Sequence, residues 1–253
     1  MVAAVEEILA DLEHQHAELD GILVRLDDEG WALPSACEGW SVADVVVHLT
    51  QSDDGAVASV EGRLPERGFG MARSGPENVD EWAERMVVGQ RGTPPSQVLE
   101  RWRGTTAAMR AAFGRCDPSA RVPWVTGILS ARTLATTRLA EGWIHTGDVQ
   151  AALGQPPTAS PGLRHIARLA WRTLPYAFAQ AGRELSGPVA FELTGPAGER
   201  WDLVPPEEPA TVVRGDALDL CLVAGRRRQP ADTGLIAEGP DAEAVLELVR
   251  TYA

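Results

Sequence analysis

The sequence contains no lysine; all 23 basic residues are arginine. Schiff-base chemistry through a protein amine and a Walker-type lysine on phosphate are therefore excluded. Cysteine is scarce. Cys37, Cys116 and Cys221 stand far apart, their number is odd and no CxxC occurs, so neither a disulfide framework nor a thiolate metal site is indicated. No apolar run approaches the roughly 20 residues that cross a bilayer. The start, MVAAVEEILADLEHQ, is acidic, where a signal peptide needs positive charge followed by an apolar stretch. A soluble cytoplasmic protein is the expectation. GxGxxG, GxSxG and P-loop motifs are missing, which leaves dinucleotide, α/β-hydrolase and NTPase readings without support. Acidic residues number 36 and the formal net charge is -13. Nucleic acid and anionic membranes repel such a surface, so neither is expected as a partner.

What is present is ordinary globular composition: 253 residues, 44% hydrophobic and 23% charged, enough for a sizeable core. Val2 to Leu26 carries apolar residues at three- and four-residue steps (Val5, Ile8, Leu9, Leu12, Leu19, Ile22, Leu23, Leu26) and reads as a long amphipathic helix. A loop follows to Trp40. A second helix opens at Ser41, where Asp44 completes an S-x-x-D capping box. The stretch from about Gly62 to Gly75 reads as an irregular surface excursion, and Asn78 to Val88 as a short helix. A third long helix starts at Pro94 and Pro95. A fourth starts after Gly127 with Ser130 as its cap and stops at Gly154. Long helices without a strand signal between them predict an antiparallel four-helix bundle over residues 1–157. After the linker-like QPPTASPG the pattern changes to one helix, then short alternating segments, then a terminal helix. Residues 158–253 read as a small mixed α/β domain, making the chain α+β with the bundle first.

Five histidines are available, His14, His16, His48, His145 and His165. Glu141 and His145 are four apart in a helical segment, so they share a face one turn apart. His48 lies on the second helix. If the second and fourth helices are neighbours, His48 can face Glu141 and His145. Two histidines and a glutamate form a common catalytic zinc set with one position open. Spacing alone does not decide this, because an E-x-x-x-H pair is more often a solvated hydrogen bond, and a histidine on an apolar face is more often a satisfied core residue. Asp44 and Asp148 could orient the imidazoles, although Asp44 could equally serve only the cap. His14 and His16 point apart on a helix and read as exposed surface. Cys37, just before the second helix, could lie near the site, but an incidental thiol is the commoner case than a fourth ligand. Trp40 and Trp143 read as packing around the site.

The segments GWSVADVVVHL (Gly39 to Leu49) and RLAEGWIHTGD (Arg138 to Asp148) resemble the signatures of the mycothiol-dependent maleylpyruvate isomerase family of DinB-like metalloproteins. The resemblance spans nearly the whole chain. It implies a four-helix bundle holding a divalent metal, generally zinc, through His48, Glu141 and His145, followed by a domain similar to sterol-carrier-protein folds. It also implies an enzyme in which a small thiol of the mycothiol type is activated at the metal for isomerisation or S-transfer on an electrophilic small molecule. Such chemistry needs no protein nucleophile. Anionic substrates need arginine here, and the resemblance points to the A-G-R segment, hence to Arg226; an exposed basic turn, Arg226 to Arg228, is the competing reading. The active site is expected to open between the two domains, with the stretch from Gly62 to Gly92 shaping its entrance and the chain a monomer or weak homodimer. A thiol-independent metal-assisted hydrolase, lyase or cyclase, and a non-catalytic metal-binding module, are the alternatives.

Overall fold

The structure is a computed structural model and describes residues 3–64, 79–125 and 127–251. The chain divides into two compact units, Met1–Pro157 and Thr158–Ala253. The architecture is α+β.

The first unit is built on four long helices: α1 (Ala3–Leu23), α3 (Val42–Val60), α5 (Pro95–Arg115) and α6 (Ala131–Ala152). Two short helices, α2 (Asp28–Ala32) and α4 (Val79–Val88), lie in the connections. Local chemistry sets the helix starts. The Ser41 hydroxyl accepts from the Asp44 N–H and the Asp44 carboxylate accepts from the Ser41 N–H, so both halves of a capping box form at α3. Ser130 caps α6 by accepting from the Thr133 N–H. Pro95 opens α5, where its missing N–H is not needed.

Helices α1 and α3 each pack on both α5 and α6, which closes a four-helix bundle. Side-chain pairs give the directions. Asp20 meets Arg103 and His16 meets Arg110, so α1 and α5 are antiparallel. His48 meets Glu141 and Asp53 meets Arg138, so α3 and α6 are antiparallel too. Asp54, however, meets Arg101, and Glu61 meets Arg115, so α3 and α5 run parallel. Gln15 lies against Leu139 and Trp143, and Glu18 against Gln150, so α1 and α6 are also parallel. The expected antiparallel packing is thus corrected for two of the four helix pairs. The connection from α3 to α5 is long enough to carry the chain back to the end of the bundle where α3 began, which a short loop cannot do. At that end the core gathers Leu19, Ile22, Leu23, Val42, Val45, Val46, Leu49, Val98, Trp102 and Val149.

A second difference lies between α5 and α6. There the chain forms an antiparallel hairpin of β1 (Arg121–Trp124) and β2 (Gly127–Ser130). Pro123 and Gly127 stand in these strands, residues that a strand pattern disfavours, so the segment did not read as β. Much of the predicted surface excursion, and of the stretch expected to shape an entrance, falls on residues 65–78, outside the described residues. Among the described residues no helix is long and apolar enough to cross a membrane.

In the second unit α7 (Leu163–Gln180) precedes a four-stranded sheet ordered β4-β3-β5-β6. The central strands β3 (Val189–Thr194) and β5 (Thr211–Asp216) are parallel, and β4 (Arg200–Leu203) and β6 (Ile236–Glu238) flank them antiparallel. Phe191, Leu193, Trp201, Leu203 and Val213 are buried. Alternating with them, Glu192, Arg200, Asp202, Arg214 and Glu238 form a chain of ion pairs, as the two-residue period of a half-buried sheet requires. Helices α8 (Ala217–Ala224) and α9 (Ala242–Leu248) complete the layer with α7.

Candidate metal centre

His48 sits in the second turn of α3; Glu141 and His145 sit one turn apart on α6. Antiparallel packing of these helices brings the three together. His48 Nε2 lies 2.8 Å from Glu141 Oε1, and His145 Nε2 lies 3.5 Å from the same oxygen. One ligand atom from each of the three falls within 4.8 Å of the others. A tetrahedral ion with bonds of about 2.0–2.2 Å sets its donors roughly 3.4 Å apart, so this donor set fits a divalent cation of the zinc type. Glu141 and His145 are buried, and the His48 side chain is 14% exposed.

The orientation of His145 is fixed from behind. Its Nδ1 lies 2.9 Å from Asp148 Oδ2, and Asp148 is 1% exposed. A carboxylate there accepts the Nδ1 proton and leaves Nε2 aimed at Glu141, the arrangement that metal-ligating histidines require. Burial alone would hold the His145 pKa down, but Asp148, Cys37 and Glu141 together push it well above the usual histidine value. Burial likewise raises Glu141, but the contacts with His145 and His48 and the field of Arg138 hold it well below the ordinary carboxylate range. His48 is depressed, chiefly by burial, against the opposing pull of Glu141. The three groups therefore shift in opposing directions, Glu141 toward the anion, His145 toward the cation and His48 toward the neutral ring.

The family model of the mycothiol maleylpyruvate isomerase N-terminal domain matches residues 12–150, which include all three side chains. The chain belongs to this isomerase family. It is similar over nearly its whole length to uncharacterized proteins of Mycobacterium tuberculosis strains CDC 1551 / Oshkosh and ATCC 25618 / H37Rv. Each is 31% identical over 251 residues, covering 97% of this chain and 95% of theirs. The fold is similar to the crystal structure of a mycothiol-dependent maleylpyruvate isomerase, with a TM-score of 0.64 at 19% identity over 94% of this chain and 95% of that one. It is also similar to that of a histidine-to-alanine mutant of such an isomerase, with a TM-score of 0.61 at 18% identity and the same coverage.

Around the centre this family member arranges several further groups. The Trp40 ring lies 4.9 Å from the His48 ring and 6.3 Å from the His145 ring, nearly parallel to the latter, and its indole N–H donates to Glu84 on α4. Trp40 therefore walls one side of the two imidazoles. The Cys37 thiol groups with His145 and Asp148 and not with His48 and Glu141. It adjoins His145 without joining the three-residue cluster. Asp44 serves the cap and receives Arg91 Nε at 3.2 Å; of the two aspartates considered for orienting an imidazole, Asp148 does so. His16, read from sequence as exposed, is half-buried. Its Nδ1 accepts from Arg110, its ring meets Trp102 edge-on, and burial with two nearby arginines lowers its pKa to about 3.

Arg226 belongs to the second unit. It follows the C-terminal cap of α8 with φ 61°, the one described non-glycine residue with positive φ, and its guanidinium donates to the Glu247 carbonyl at 3.1 Å. Its neighbour Arg228 is tied to Asp219 at 2.7 Å. Sequence reasoning passed over Asp53, Arg138 and Gln15, all buried in the bundle. A signal was present for two of them, since Asp53 follows an apolar stripe of α3 (Val46, Leu49) and Arg138 shares a face of α6 with Glu141 and His145.

Proposed function

We propose that this protein is a metal-dependent enzyme that uses a low-molecular-weight thiol, of the mycothiol type, for isomerisation or S-transfer on a small electrophile, with zinc held by His48, Glu141 and His145. The observation that carries the proposal is the convergence of two imidazoles and one carboxylate with the Asp148 carboxylate behind His145. Family membership and the likeness to a mycothiol-dependent isomerase fold support it. A divalent ion at such a site supplies Lewis acidity and lowers the pKa of a coordinated thiol or water. The residues of this chain supply the rest. Asp148 fixes the tautomer of His145. Glu141, ionised at neutral pH, contributes the only negative charge of the donor set. Trp40 shields one side of the imidazoles from water. Arg226 is assigned to the anionic part of the substrate on the resemblance of its A-G-R segment alone; its positive φ belongs to the stop of α8, where the Arg226 and Arg227 N–H groups return to the Val223 and Leu222 carbonyls.

Metal analysis of purified protein followed by thiol titration tests the proposal. One equivalent of zinc is expected, and a cobalt-substituted sample is expected to change its visible spectrum when thiol is added. The Glu141→Ala/His145→Ala double variant is expected to lose the metal while its helices remain. A full equivalent of tight zinc in that variant refutes the ligand assignment, and turnover of an electrophile without thiol refutes the thiol assignment.

A further inference from the structure

We infer that the buried Asp53–Arg138 ion pair is a positioning device for the metal centre, locking α3 and α6 in the register that lets their ligands meet. The inference rests on the metal reading proposed above. Asp53 stands five residues beyond His48 on α3, and Arg138 stands three residues before Glu141 on α6. The Arg138 Nε donates to Asp53 Oδ1 at 2.9 Å, and the two side chains are 3% and 5% exposed. The pair thus joins the two ligand-bearing helices about one turn from the ligands on each.

Stability does not account for it. Burial drives the Asp53 pKa up to about 6 although a guanidinium is bonded to it, so desolvation outweighs the attraction. Arg138 Nη2 is buried with no hydrogen-bond partner, and the guanidinium lies 5.8 Å from the centre of the Trp124 ring. A buried pair of this kind contributes little net stability, and apolar replacement of such pairs is often neutral or stabilising. What it provides is direction. Apolar contacts are non-directional, and a slip of one residue turns a helix by about 100° and shifts it by about 1.5 Å. Such a slip would carry Glu141 out of reach of His48. A charged hydrogen bond has defined length and angle and resists it.

The test is the Asp53→Leu/Arg138→Met double variant. Both charges leave together, so the net charge of the pair is unchanged, and the cobalt spectrum separates a change of geometry from loss of the Arg138 field on Glu141. Cobalt is titrated against a competing chelator, its visible spectrum is recorded, and thermal unfolding is measured on the metal-free protein. The expected result is an unchanged or higher Tm with cobalt affinity at least tenfold weaker and an altered cobalt spectrum. Arg138→Lys, which keeps a cation beside Asp53, is expected to recover most of the affinity, and it decides the matter if the double variant folds poorly. Cobalt affinity within twofold of native in the double variant, or no recovery in Arg138→Lys, overturns the inference while leaving the ligand assignment intact. A native protein that takes up no cobalt removes the metal reading and this inference together.

Discussion

Replacing Asp148 by asparagine is expected to weaken metal binding by an amount that depends on pH in a defined direction. Asp148 Oδ2 lies 2.9 Å from His145 Nδ1 in a fully buried setting. Loss of such a partner behind a ligating histidine typically costs about 10- to 100-fold in metal affinity. A second effect opposes the first. Asp148 is the strongest of the contacts that raise the His145 pKa, and a proton on His145 competes with the ion. The asparagine amide oxygen can still accept from Nδ1, but without its negative charge the pKa falls. Each unit of that fall relieves about tenfold of proton competition below the pKa. The deficit of the variant is therefore largest toward the alkaline end of a scan from about pH 6 to about pH 9, where less of His145 is protonated, and shrinks toward the acidic end. The assay is chelator-competed zinc or cobalt affinity across that range, with circular dichroism to verify folding. A deficit that grows toward acid, or an affinity at pH 9 equal to the native value, would refute the role assigned to Asp148.

Gly142→Ala is expected to destabilise the bundle by about 1–3 kcal/mol, because a Cβ there would stand 2.7 Å from the amide end of Gln15. That amide is buried and, in the orientation that satisfies both partners, donates to the Leu139 carbonyl and accepts from the Trp143 N–H, so it cannot simply swing aside. Urea unfolding in a Gln15→Ala background should show most of the penalty removed; an undiminished penalty would place the clash elsewhere. Asp53 predicts a pH effect on stability. Its pKa is raised from 3.8 to about 6 in the folded state, so the folded protein holds an extra proton between those values. The contribution is complete below about pH 4 and is lost as pH rises through about 6, at most about 3 kcal/mol in all. Asp53→Asn, which cannot titrate, should flatten this part of the stability profile; an unchanged slope would assign it to another group.

Local features were legible because their causes are local. Ser41 and Ser130 are caps with an oxygen in reach of nearby N–H groups, and the α1 stripe from Val5 to Leu23 follows from helical period alone. The pairing of Glu141 with His145 is likewise a property of one helix. The β1–β2 hairpin escaped notice because Pro123 and Gly127 interrupt its strand pattern, and the parallel pairing of α3 with α5 because helix direction in a bundle depends on where a long connection returns.

The linear chain by itself determined which side chains are competent donors, which helices carry them and that no lysine or thiolate cluster competes with them. Whether His48 reaches Glu141 across 93 positions of sequence was decided only in three dimensions. So was the choice of Asp148 over Asp44 as the group behind an imidazole, and the conversion of Asp53 and Arg138 from ordinary charges into a buried pair. The reason is physical. Donor type and helical period are fixed by covalent chemistry over a few residues, whereas distance, burial and the resulting shifts in proton affinity arise only when separate helices exclude water between them.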